Sequence, residues 1–433
     1  MRLYGTQSII NNHLHIGGVS TKDLARTYGT PLYIMDEEEM RSRTRLFREN
    51  FIHERIETEV IYASKAFMTK AMAKLIKEEN LSLDVVSGGE LFTALAAGFP
   101  AEKIFFHGNN KSLEELVYAV HSGVGTIILD NEDEAERLRG ILEEREKKQR
   151  VILRVNPGIE AHTHEYISTT KNDSKFGLSI FSADTVDLIK TLDADPVFDF
   201  RGIHCHIGSQ IFEEESYFKA VEEMLGYVGN LKEKGIAIRE LNLGGGFGVS
   251  YEEKDTPMVY ENFLKALLEH VAGISEQMDL LPLKVLIEPG RAIVANAGTT
   301  LYEVGGTKTT YGGKKYVFVD GSMADHIRTV LYDATYTACL ADRMEDPQEE
   351  VYTVTGKACE SGDILVREAH LPVPEKGNLL AVFSTGAYHY SMASNYNRLR
   401  KPPVIFVRSG KSKVVVKRET YEDLIRNDQM EEY

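Results

Sequence analysis

A lysine ends one of the most apolar runs of the sequence, at Lys65 within Val60-Ile-Tyr-Ala-Ser-Lys-Ala-Phe67. A lysine at a strand end can extend its ammonium group into solvent, and for one lysine considered alone this is the more common role. A lysine amine can also form a covalent bond with a carbonyl group when a suitable pocket surrounds it. The role of Lys65 therefore depends on which other side chains reach the same place.

Two further motifs carry complementary chemistry. Gly244-Gly-Gly-Phe-Gly248 follows an apolar run, and glycines there let backbone N–H groups approach an anion such as phosphate, although a tight turn would use them equally well. Glu288-Pro-Gly-Arg291 follows another apolar run. Its glutamate could pair with a pyridine nitrogen, so that the ring withdraws electrons from a carbanion. A surface ion pair between Glu288 and Arg291 is the alternative.

His204-Cys-His206 places two histidines at alternate positions of a strand, so both side chains point to one side and Cys205 to the other. One imidazole could stack on an aromatic cofactor ring. With carboxylates such as Asp84, and with Lys65 as a bridging group, the two histidines could instead bind a metal ion in a barrel hydrolase. The glycine motif and Glu288 favour the cofactor, because a bare metal site needs neither, and no metal is expected.

The elements that must position these residues follow a regular order, with short β-branched and aromatic runs between segments of helical periodicity. The predicted strands are residues 59–63, 82–86, 103–106, 126–129, 151–155, 201–206, 240–243 and 284–287. Helices are predicted between them, for example at residues 69–79, 89–97, 112–121, 132–147 and 262–277. Eight repeats of this alternation predict a parallel (β/α)8 barrel of the TIM type, with its active site at the carboxyl ends of the strands.

After residue 298 the pattern changes to shorter strands with few helices. The predicted strands there are residues 315–320, 350–356, 379–384, 403–408 and 412–417. Residues 14–16 and 31–35 precede the barrel and are expected to pair with this part. The sequence therefore predicts a barrel domain over residues 36–297 and a discontinuous β-rich domain formed by residues 1–35 and 298–433.

The composition limits the classes of function. The 433 residues carry a formal net charge of −16, which argues against a nucleic-acid-binding protein. No apolar run is long enough to span a bilayer and the first residues lack the order of a signal peptide, so a soluble, cytoplasmic protein without membrane contact is expected. The three cysteines, Cys205, Cys339 and Cys359, are too scattered for a disulfide framework and are expected to be reduced thiols.

Several short motifs, in their order and spacing, resemble the fold-type III decarboxylases that use pyridoxal phosphate. The matching segments are residues 62–66, 84–91, 162–168, 174–177, 204–210, 244–248, 288–291, 359–363, and 386–388 followed by 391–397. The resemblance extends over nearly the whole chain. The family fold, a barrel joined to a β-domain, agrees with the predicted pattern of strands and helices.

The resemblance implies a role for each matching residue. Lys65 resembles the lysine that binds the cofactor covalently, His206 the histidine that stacks on its ring, and Cys359 the proton donor. The implied cofactor-binding residues are Lys65, Asp84, His206, Ser209, Gly244, Gly245, Gly246, Glu288, Gly290, Arg291 and Tyr388. The implied substrate-binding residues are Arg291, Arg328, Tyr332, Glu360 and Tyr388.

The resemblance also implies an activity and an assembly. The activity is α-decarboxylation of meso-2,6-diaminopimelate to L-lysine and carbon dioxide in lysine biosynthesis. Ornithine, arginine and carboxynorspermidine are alternative substrates within the same fold, and the presence of Lys65 and Cys359 argues against a non-catalytic relative. The assembly is a homodimer in which residues 359–360 of each subunit reach the barrel of the partner, so that two subunits share each active site.

One segment, residues 320–332, departs from the family pattern. Ser322, Ala324 and Thr329 stand where the family usually has glycine, asparagine and proline. Arg328 and Tyr332 are retained, so the groups expected to bind substrate are present.

Overall fold

The computed structural model describes residues 2–159 and 174–430, so the motif at residues 162–168 lies outside the described residues. The chain forms two compact units. The barrel unit comprises Arg43–Val249 and Thr256–Ala292, and the β-rich unit comprises Met1–Ser42, Ser250–Asp255 and Ile293–Tyr433. The domain limits predicted at residues 36 and 297 stay a prediction.

In the described residues, the barrel unit contains a closed ring of eight parallel strands. The strands are Glu57–Ala63, Ser82–Val85, Ile104–Phe106, Thr126–Leu129, Gln149–Asn156, Phe198–His204, Glu240–Asn242 and Lys284–Ile287. The ring closes where the last strand pairs with the first, with Ile287 opposite Val60. A two-residue strand, Leu178–Ser179, adds to the edge beside Val155 and Asn156. The predicted fold class, a (β/α)8 barrel with a second β-rich part, is confirmed.

Helices follow the strands, and hydrogen bonds at their first turns explain where several of them begin. The helices are Glu37–Asn50, Lys70–Glu78, Gly88–Ala96, Leu113–Ser122, Glu132–Glu144, Ala183–Ala194, Glu214–Glu233, Tyr260–Gln277 and Arg291–Val294, with 3-10 turns at Ser64–Ala66 and Ala101–Lys103. Thr69, Ser87, Ser112 and Asn131 each precede a helix and accept a hydrogen bond from the backbone N–H three residues later. Such caps satisfy N–H groups that have no partner inside the helix.

A layer of apolar side chains fills the interior of the barrel. It consists of Ile61, Phe105, Ile128, Ile152 and Leu286, all at most 3% exposed. Because side chains alternate along a strand, the residue two positions later points to the same side. Two positions after Phe105, Ile152 and Leu286 the sequence has His107, Arg154 and Glu288. The barrel therefore places a polar layer directly beyond its apolar layer, at the carboxyl ends of the strands.

The β-rich unit contains a mixed sheet and a small separate sheet. The strands of the mixed sheet are Leu32–Asp36, Gly298–Thr309, Lys315–Val319, Ala338–Leu340, Glu350–Thr355, Ile364–Leu371, Leu379–Phe383, Val404–Arg408 and Lys411–Val416. The small sheet consists of Ser8–Ile10, His13–Ile16 and Val19–Ser20. Short helices lie at Thr21–Tyr28, Arg328–Tyr332 and Tyr421–Ile425, with 3-10 turns at Tyr390–Met392 and Tyr396–Arg398.

The two N-terminal segments that were expected to pair with the β-rich part behave differently. Leu32–Asp36 does pair with Gly298–Thr309, with Tyr33 opposite Thr300. Residues 14–16 instead pair within the small sheet, where Leu14 lies opposite Ile9. Leu14 still packs into an apolar cluster shared with the mixed sheet, and its N–H donates a hydrogen bond of 2.7 Å to the Ala341 carbonyl, so burial and this bond join the segment to the unit.

Among the described residues, no helix combines the length and the apolar character that a membrane-spanning helix needs.

Candidate active site

The carboxyl ends of the barrel strands surround a cavity of about 330 Å³. Its lining residues are Lys65, Asp84, Val86, His107, Gly108, Asn109, Arg154, Phe176, His204, His206 and Glu288. Four residues with a predicted cofactor role, Lys65, Asp84, His206 and Glu288, are among them. The volume is within the range of small-molecule sites, which start at roughly 300 Å³.

Lys65 reaches the cavity because the chain turns sharply at the end of its strand. The strand ends at Ala63 and a single 3-10 turn, Ser64–Ala66, follows. Ser64 and Ala66 are buried whereas Lys65 is exposed. The Tyr62 hydroxyl donates a hydrogen bond of 2.8 Å to the Phe67 carbonyl, which closes the turn. The lysine side chain is therefore the part of the turn that lines the cavity.

Glu288 is held by hydrogen bonds from His204 and Asn242 and by a close contact with the His107 imidazole. His107 Nε2 lies 2.9 Å from Oε1, His204 Nε2 lies 3.1 Å from Oε2, and Asn242 Nδ2 lies 2.7 Å from Oε1. Burial raises the pKa of Glu288, but His107 and His204 outweigh it, so the pKa is well below its ordinary value. A carboxylate has about four acceptor positions. An ionised Glu288 thus retains acceptor capacity for a donor from a ligand.

The two histidines of the His204-Cys-His206 motif both line the cavity, as their alternation predicted. Burial lowers the pKa of His204 to about 4, so its imidazole is neutral. Burial and the charge of Lys65 lower the pKa of His206 well below its ordinary value. His206 Nδ1 accepts a hydrogen bond of 3.1 Å from the Gly245 N–H, which fixes the ring orientation. The intervening Cys205 is buried, and burial raises the pKa of its thiol to about 12.

The glycine loop leaves no room for side chains. A Cβ atom at Gly244, Gly245 or Gly246 would overlap backbone oxygens of Cys205, Glu288 or Gly208, respectively, and the φ angles of Gly244 and Gly246 are +68° and +102°. Two of its N–H groups are already used, because Gly244 donates to Asn242 Oδ1 and Gly245 to His206. The Gly246 N–H donates to no other group of the described residues. Of the three consecutive glycines, Gly246 therefore offers a backbone donor to an anion.

A hydroxyl and a guanidinium from two other segments of the barrel unit are joined to each other. Arg291 Nη2 donates a hydrogen bond of 2.9 Å to Ser209 Oγ. Arg291 is buried, and a Cβ atom at the preceding Gly290 would lie 2.9 Å from the Ala63 backbone oxygen, so this approach requires glycine. Ser209, Arg291 and the Gly246 N–H are groups that can bind a phosphate.

Asp84 is a buried carboxyl group in the cavity wall. It is 2% exposed, and its Oδ1 has no hydrogen-bond partner in the described part of the chain. Burial raises its pKa, and His107 and Lys65 offset this only in part. A buried polar atom without a partner is uncommon and is typical of a site that binds a ligand. This orphaned oxygen, the closely packed glycine loop and the partly satisfied Glu288 all fit a cofactor with a cationic ring and a phosphate.

Three of the remaining predicted residues come together in the β-rich unit. The Arg328 guanidinium lies 4.8 Å from the centre of the Tyr332 ring and 5.3 Å from that of Tyr388. Its Nε donates a hydrogen bond of 2.9 Å to the Tyr336 hydroxyl. Arg328 is only 6% exposed. Three of the predicted substrate residues thus share one aromatic cluster around a buried cation.

Cys359 and Glu360 lie in a different loop of the same unit. Cys359 is exposed, whereas Cys205 and Cys339 are buried. Its N–H donates to Asn397 Oδ1 at 2.7 Å, and Glu360 is an exposed acceptor for the Tyr396 hydroxyl at 3.4 Å. A thiol held in solvent on a fixed backbone is accessible for proton transfer. Cys359 is therefore not a packing residue in the core of the β-rich unit.

The unusual residues of the segment 320–332 are satisfied locally. The Thr329 hydroxyl donates a hydrogen bond of 2.7 Å to the Leu365 carbonyl. Ser322 Oγ accepts from the Ala324 N–H at 3.0 Å. These bonds hold the turn that carries Arg328 and Tyr332 without the proline and glycine of the family pattern.

The sequence alone gave no role to three residues of the cavity region. His107 follows a predicted strand and Arg154 lies near the end of another, so both were recognisable as polar residues at strand ends. Asn242 lies two residues before the glycine loop and contacts both Glu288 and the Gly244 N–H. Its polar amide in the strand predicted over residues 240–243 was the available signal. The alternative metal-dependent hydrolase would use His204, His206 and Asp84 as ligands. Among the described residues, these three are not the group whose ligand atoms lie close together.

The histidine and carboxylate atoms that do come within 4.8 Å of one another belong to His107, His204 and Glu288. His204 and Asn242 donate hydrogen bonds to the Glu288 carboxylate and His107 lies against it, which explains this cluster as a clamp around Glu288.

Comparison with known proteins agrees with this chemistry. A family model described as the pyridoxal-binding domain of pyridoxal-dependent decarboxylases matches residues 37–295. The fold and the site therefore define a decarboxylase that uses pyridoxal phosphate, which confirms the predicted cofactor and enzyme class.

More specific relatives cover the entire chain. The diaminopimelate decarboxylase of Bacillus subtilis is 46% identical over 430 residues, which cover 99% of this chain and 98% of the relative. That of Halalkalibacterium halodurans is 44% identical over the same shares of both chains. The structure of diaminopimelate decarboxylase from M. jannaschii in complex with L-lysine matches with a TM-score of 0.92 and 31% identity over 98% of each chain. This chain belongs to the diaminopimelate decarboxylase family.

Proposed function

We propose that the chain catalyses the α-decarboxylation of meso-2,6-diaminopimelate to L-lysine and carbon dioxide, with pyridoxal phosphate bound covalently at Lys65. One observation carries the proposal: Lys65 lines the same cavity as an ionised Glu288 that His204, Asn242 and His107 hold in place. The names of the full-length relatives support the choice of substrate.

Residues of the barrel unit hold the cofactor in this proposal. When bound, pyridoxal phosphate supplies an electron-withdrawing ring that takes up the electron pair left by the departing carboxylate. Glu288 is the anionic partner of the ring nitrogen, and His206 provides a flat, neutral imidazole against the ring. Ser209, Arg291 and the Gly246 N–H bind the phosphate. Asp84, with an oxygen that lacks a partner in the described residues, accepts a hydrogen bond from the bound molecule.

Residues of the β-rich unit bind the substrate and return a proton. Arg328 and Glu360 pair with the carboxylate and the ammonium group of the amino acid centre that does not react, through charge-assisted hydrogen bonds. Tyr332 and Tyr388 flank the Arg328 guanidinium. The Cys359 thiol donates its proton to the carbon atom from which carbon dioxide has left.

A panel of substrates tests the reaction. The purified protein, loaded with cofactor, is incubated with diaminopimelate, ornithine, arginine and carboxynorspermidine, and the products are identified by mass. We expect L-lysine from diaminopimelate. Ornithine lacks a distal carboxylate, so its kcat/KM should be lower by roughly one to two powers of ten, the value of one hydrogen bond to a charged group. Equal turnover of ornithine would contradict the role given to Arg328.

The active form is proposed to be a cytoplasmic homodimer in which residues 359–360 of one subunit complete the site of the other. Two-fold symmetry then gives two equivalent composite sites. Mixing the inactive variants Lys65→Ala and Cys359→Ala under conditions of subunit exchange should restore part of the activity, because a mixed dimer has one intact site. Confirmed exchange without any recovery would place both groups in one subunit's site.

A further inference from the structure

Arg328 carries a buried charge that no carboxylate neutralises within residues 2–159 and 174–430. Its side chain donates one hydrogen bond, from Nε to the Tyr336 hydroxyl, and its other neighbours are the aromatic rings of Tyr332 and Tyr388. Burying a cation is unfavourable unless an anion or several acceptors compensate it. The site is therefore built for an anionic ligand.

The bond to Tyr336 determines which face of the guanidinium a ligand can use. A guanidinium has five N–H donors in one plane, and a carboxylate can bind either across Nε and one Nη or across the two Nη atoms. Because Nε already donates to Tyr336 at 2.9 Å, the Nη1 and Nη2 end remains for the ligand. Tyr336 thus leaves the two Nη atoms of Arg328 as the binding site for a carboxylate and fixes the direction in which they point.

Tyr336 is itself held tightly by aromatic neighbours. It is 4% exposed, and its ring makes edge contacts with Tyr251, His326 and His389 at centroid distances of 5.2, 4.7 and 5.1 Å. Edge-to-face pairs of this kind fix ring orientation. The hydroxyl that accepts from Arg328 is therefore presented from a rigid position in the core of the unit.

The imidazole beside this pair does not compete with Arg328 as a cation. Burial and the charge of Arg328 lower the pKa of His326 to about 3, so the ring is neutral. Both of its nitrogens lack hydrogen-bond partners in the described residues. His326 thus acts as an aromatic wall for Tyr336, and the guanidinium is the positive group of the cluster.

We propose that Tyr336 is a positioning residue that directs the Nη end of Arg328 toward the carboxylate of the substrate's non-reacting amino acid centre. This inference rests on the proposed function and deepens it, since it names the group that sets distal-end specificity. L-Lysine keeps this carboxylate, whereas cadaverine has none. Tyr336 therefore contributes to the binding of L-lysine and not to that of cadaverine.

The test compares two substitutions that each remove one hydroxyl group from the same apolar core. Tyr336→Phe removes the acceptor for Nε, and Tyr352→Phe is the matched control, because Tyr352 is 6% exposed and packs in the same cluster. Both variants are purified as holoenzymes. For Tyr336→Phe we expect the KM for diaminopimelate to rise about tenfold with kcat changed less than about twofold, the pattern of lost uniform binding.

Inhibition by L-lysine and by cadaverine distinguishes a specific loss of carboxylate binding from a general disturbance of the site. The inhibition constant of L-lysine should rise about tenfold in Tyr336→Phe, and that of cadaverine should stay within about twofold of wild type. Tyr352→Phe should leave both constants unchanged. In an Arg328→Lys background, which has no Nε donor, Tyr336→Phe should add no further loss for L-lysine.

Three outcomes would overturn the inference: an unchanged L-lysine constant in Tyr336→Phe, equal weakening of L-lysine and cadaverine, or the same loss in Tyr352→Phe. A wild-type enzyme that fails to decarboxylate diaminopimelate would instead refute the proposed function. In that case the dissociation constants of L-lysine and cadaverine, measured by calorimetry on wild type and Tyr336→Phe, still decide whether Tyr336 orients Arg328 toward a carboxylate.

Discussion

The two ends of the barrel each contain a cavity, and the two cavities are similar in size. The one at the carboxyl ends of the strands measures about 330 Å³ and the one at the amino ends about 370 Å³. Both are lined by charged residues. Volume and charge content therefore do not distinguish the candidate active site from the opposite end of the same barrel.

The charged groups at the amino end have local partners. Lys284 pairs with Glu57 at 3.1 Å and with Glu59 at 2.7 Å. Lys103 donates to Asn80 Oδ1 at 2.7 Å, and Arg48 Nη1 donates to the Glu79 carbonyl at 2.9 Å. These groups form a satisfied network that supports the ends of the strands.

At the carboxyl end, several polar groups have no partner among the described residues. Lys65 makes no hydrogen bond or ion pair with any described residue, and Asp84 Oδ1 and the Gly246 N–H likewise lack partners there. Since unsatisfied polar groups in a buried wall cost free energy, their concentration at one end marks the end that binds a ligand. Incomplete pairing, more than cavity size, is thus the physical signature of the site.

Removing Lys65 should give the largest difference between the two ends. Lys65→Ala should lower kcat by at least about 10³-fold, because the covalent attachment and a proton-transferring amine are both lost. Lys103→Ala at the opposite cavity should stay within roughly twofold of wild type, as is usual for an exposed polar contact. Steady-state rates measure the effect, and borohydride reduction with peptide mapping should label wild type at Lys65. A label on another lysine would contradict the assignment.

A buried ion pair that lines neither cavity sharpens the comparison. Lys111 Nζ lies 2.6 Å from Glu134 Oε1, and the two side chains are 1% and 0% exposed. Lys111→Met leaves Glu134 without its counter-charge and should lower the free energy of unfolding by about 3–5 kcal/mol. Urea denaturation measures this. The double variant Lys111→Met/Glu134→Leu should recover most of the loss, and a single variant as stable as wild type would show that the pair is dispensable.

Neutralising a carboxylate at each end gives the next test. Glu288→Gln should lower kcat by about 10²-fold, because an amide no longer stabilises a protonated ring nitrogen. Glu59→Gln at the amino end, which weakens the pairing of Lys284, should leave kcat within about twofold. The absorbance of the bound cofactor shows whether the Glu288 variant still loads. Equal losses in both variants would mean that the two ends do not differ in function.

Acid should destabilise both units through buried neutral histidines. The pKa values of His204 and His326 fall from an ordinary 6.5 to about 4 and about 3, mainly because of burial. Between pH 6.5 and 5 the unfolded chain binds protons that the folded chain refuses, so each histidine lowers the free energy of unfolding by about 2 kcal/mol. Denaturation curves at several pH values measure this. His326→Phe should remove the part of this pH-dependent loss of stability that His326 contributes. If the pH dependence of this variant equals that of wild type, His326 is not neutral in the folded protein.

Much of the barrel could be predicted because its strands are buried, short and separated by amphipathic helices. The strands Thr126–Leu129 and Lys284–Ile287 begin and end as predicted. The strand predicted over residues 201–206 ends at His204, since periodicity does not reveal where pairing stops. The strand Gly298–Thr309 was missed. Its glycines at 305 and 306 resemble a turn, and only pairing with its neighbours makes the segment extended.

The site could be predicted in part. Lys65, Asp84, His206 and Glu288 were expected at one end of the barrel, and they line one cavity; their individual roles stay predictions. Local motifs identify such residues because each motif lies at a strand end. The role of Asn242 depends on the distance to Glu288 in the closed barrel, which no local pattern contains. The same is true of Tyr336, whose contact with Arg328 depends on how a short helix and its following loop pack.

The clamp around Glu288 has a consequence for the order in which the molecule is made. Its four members, His107, His204, Asn242 and Glu288, belong to the third, sixth, seventh and eighth strands of the ring. A nascent chain cannot assemble the clamp before the last strand has been synthesised and has closed the ring. Cofactor loading should therefore report completed barrel closure, and a truncated or misfolded chain should stay colourless.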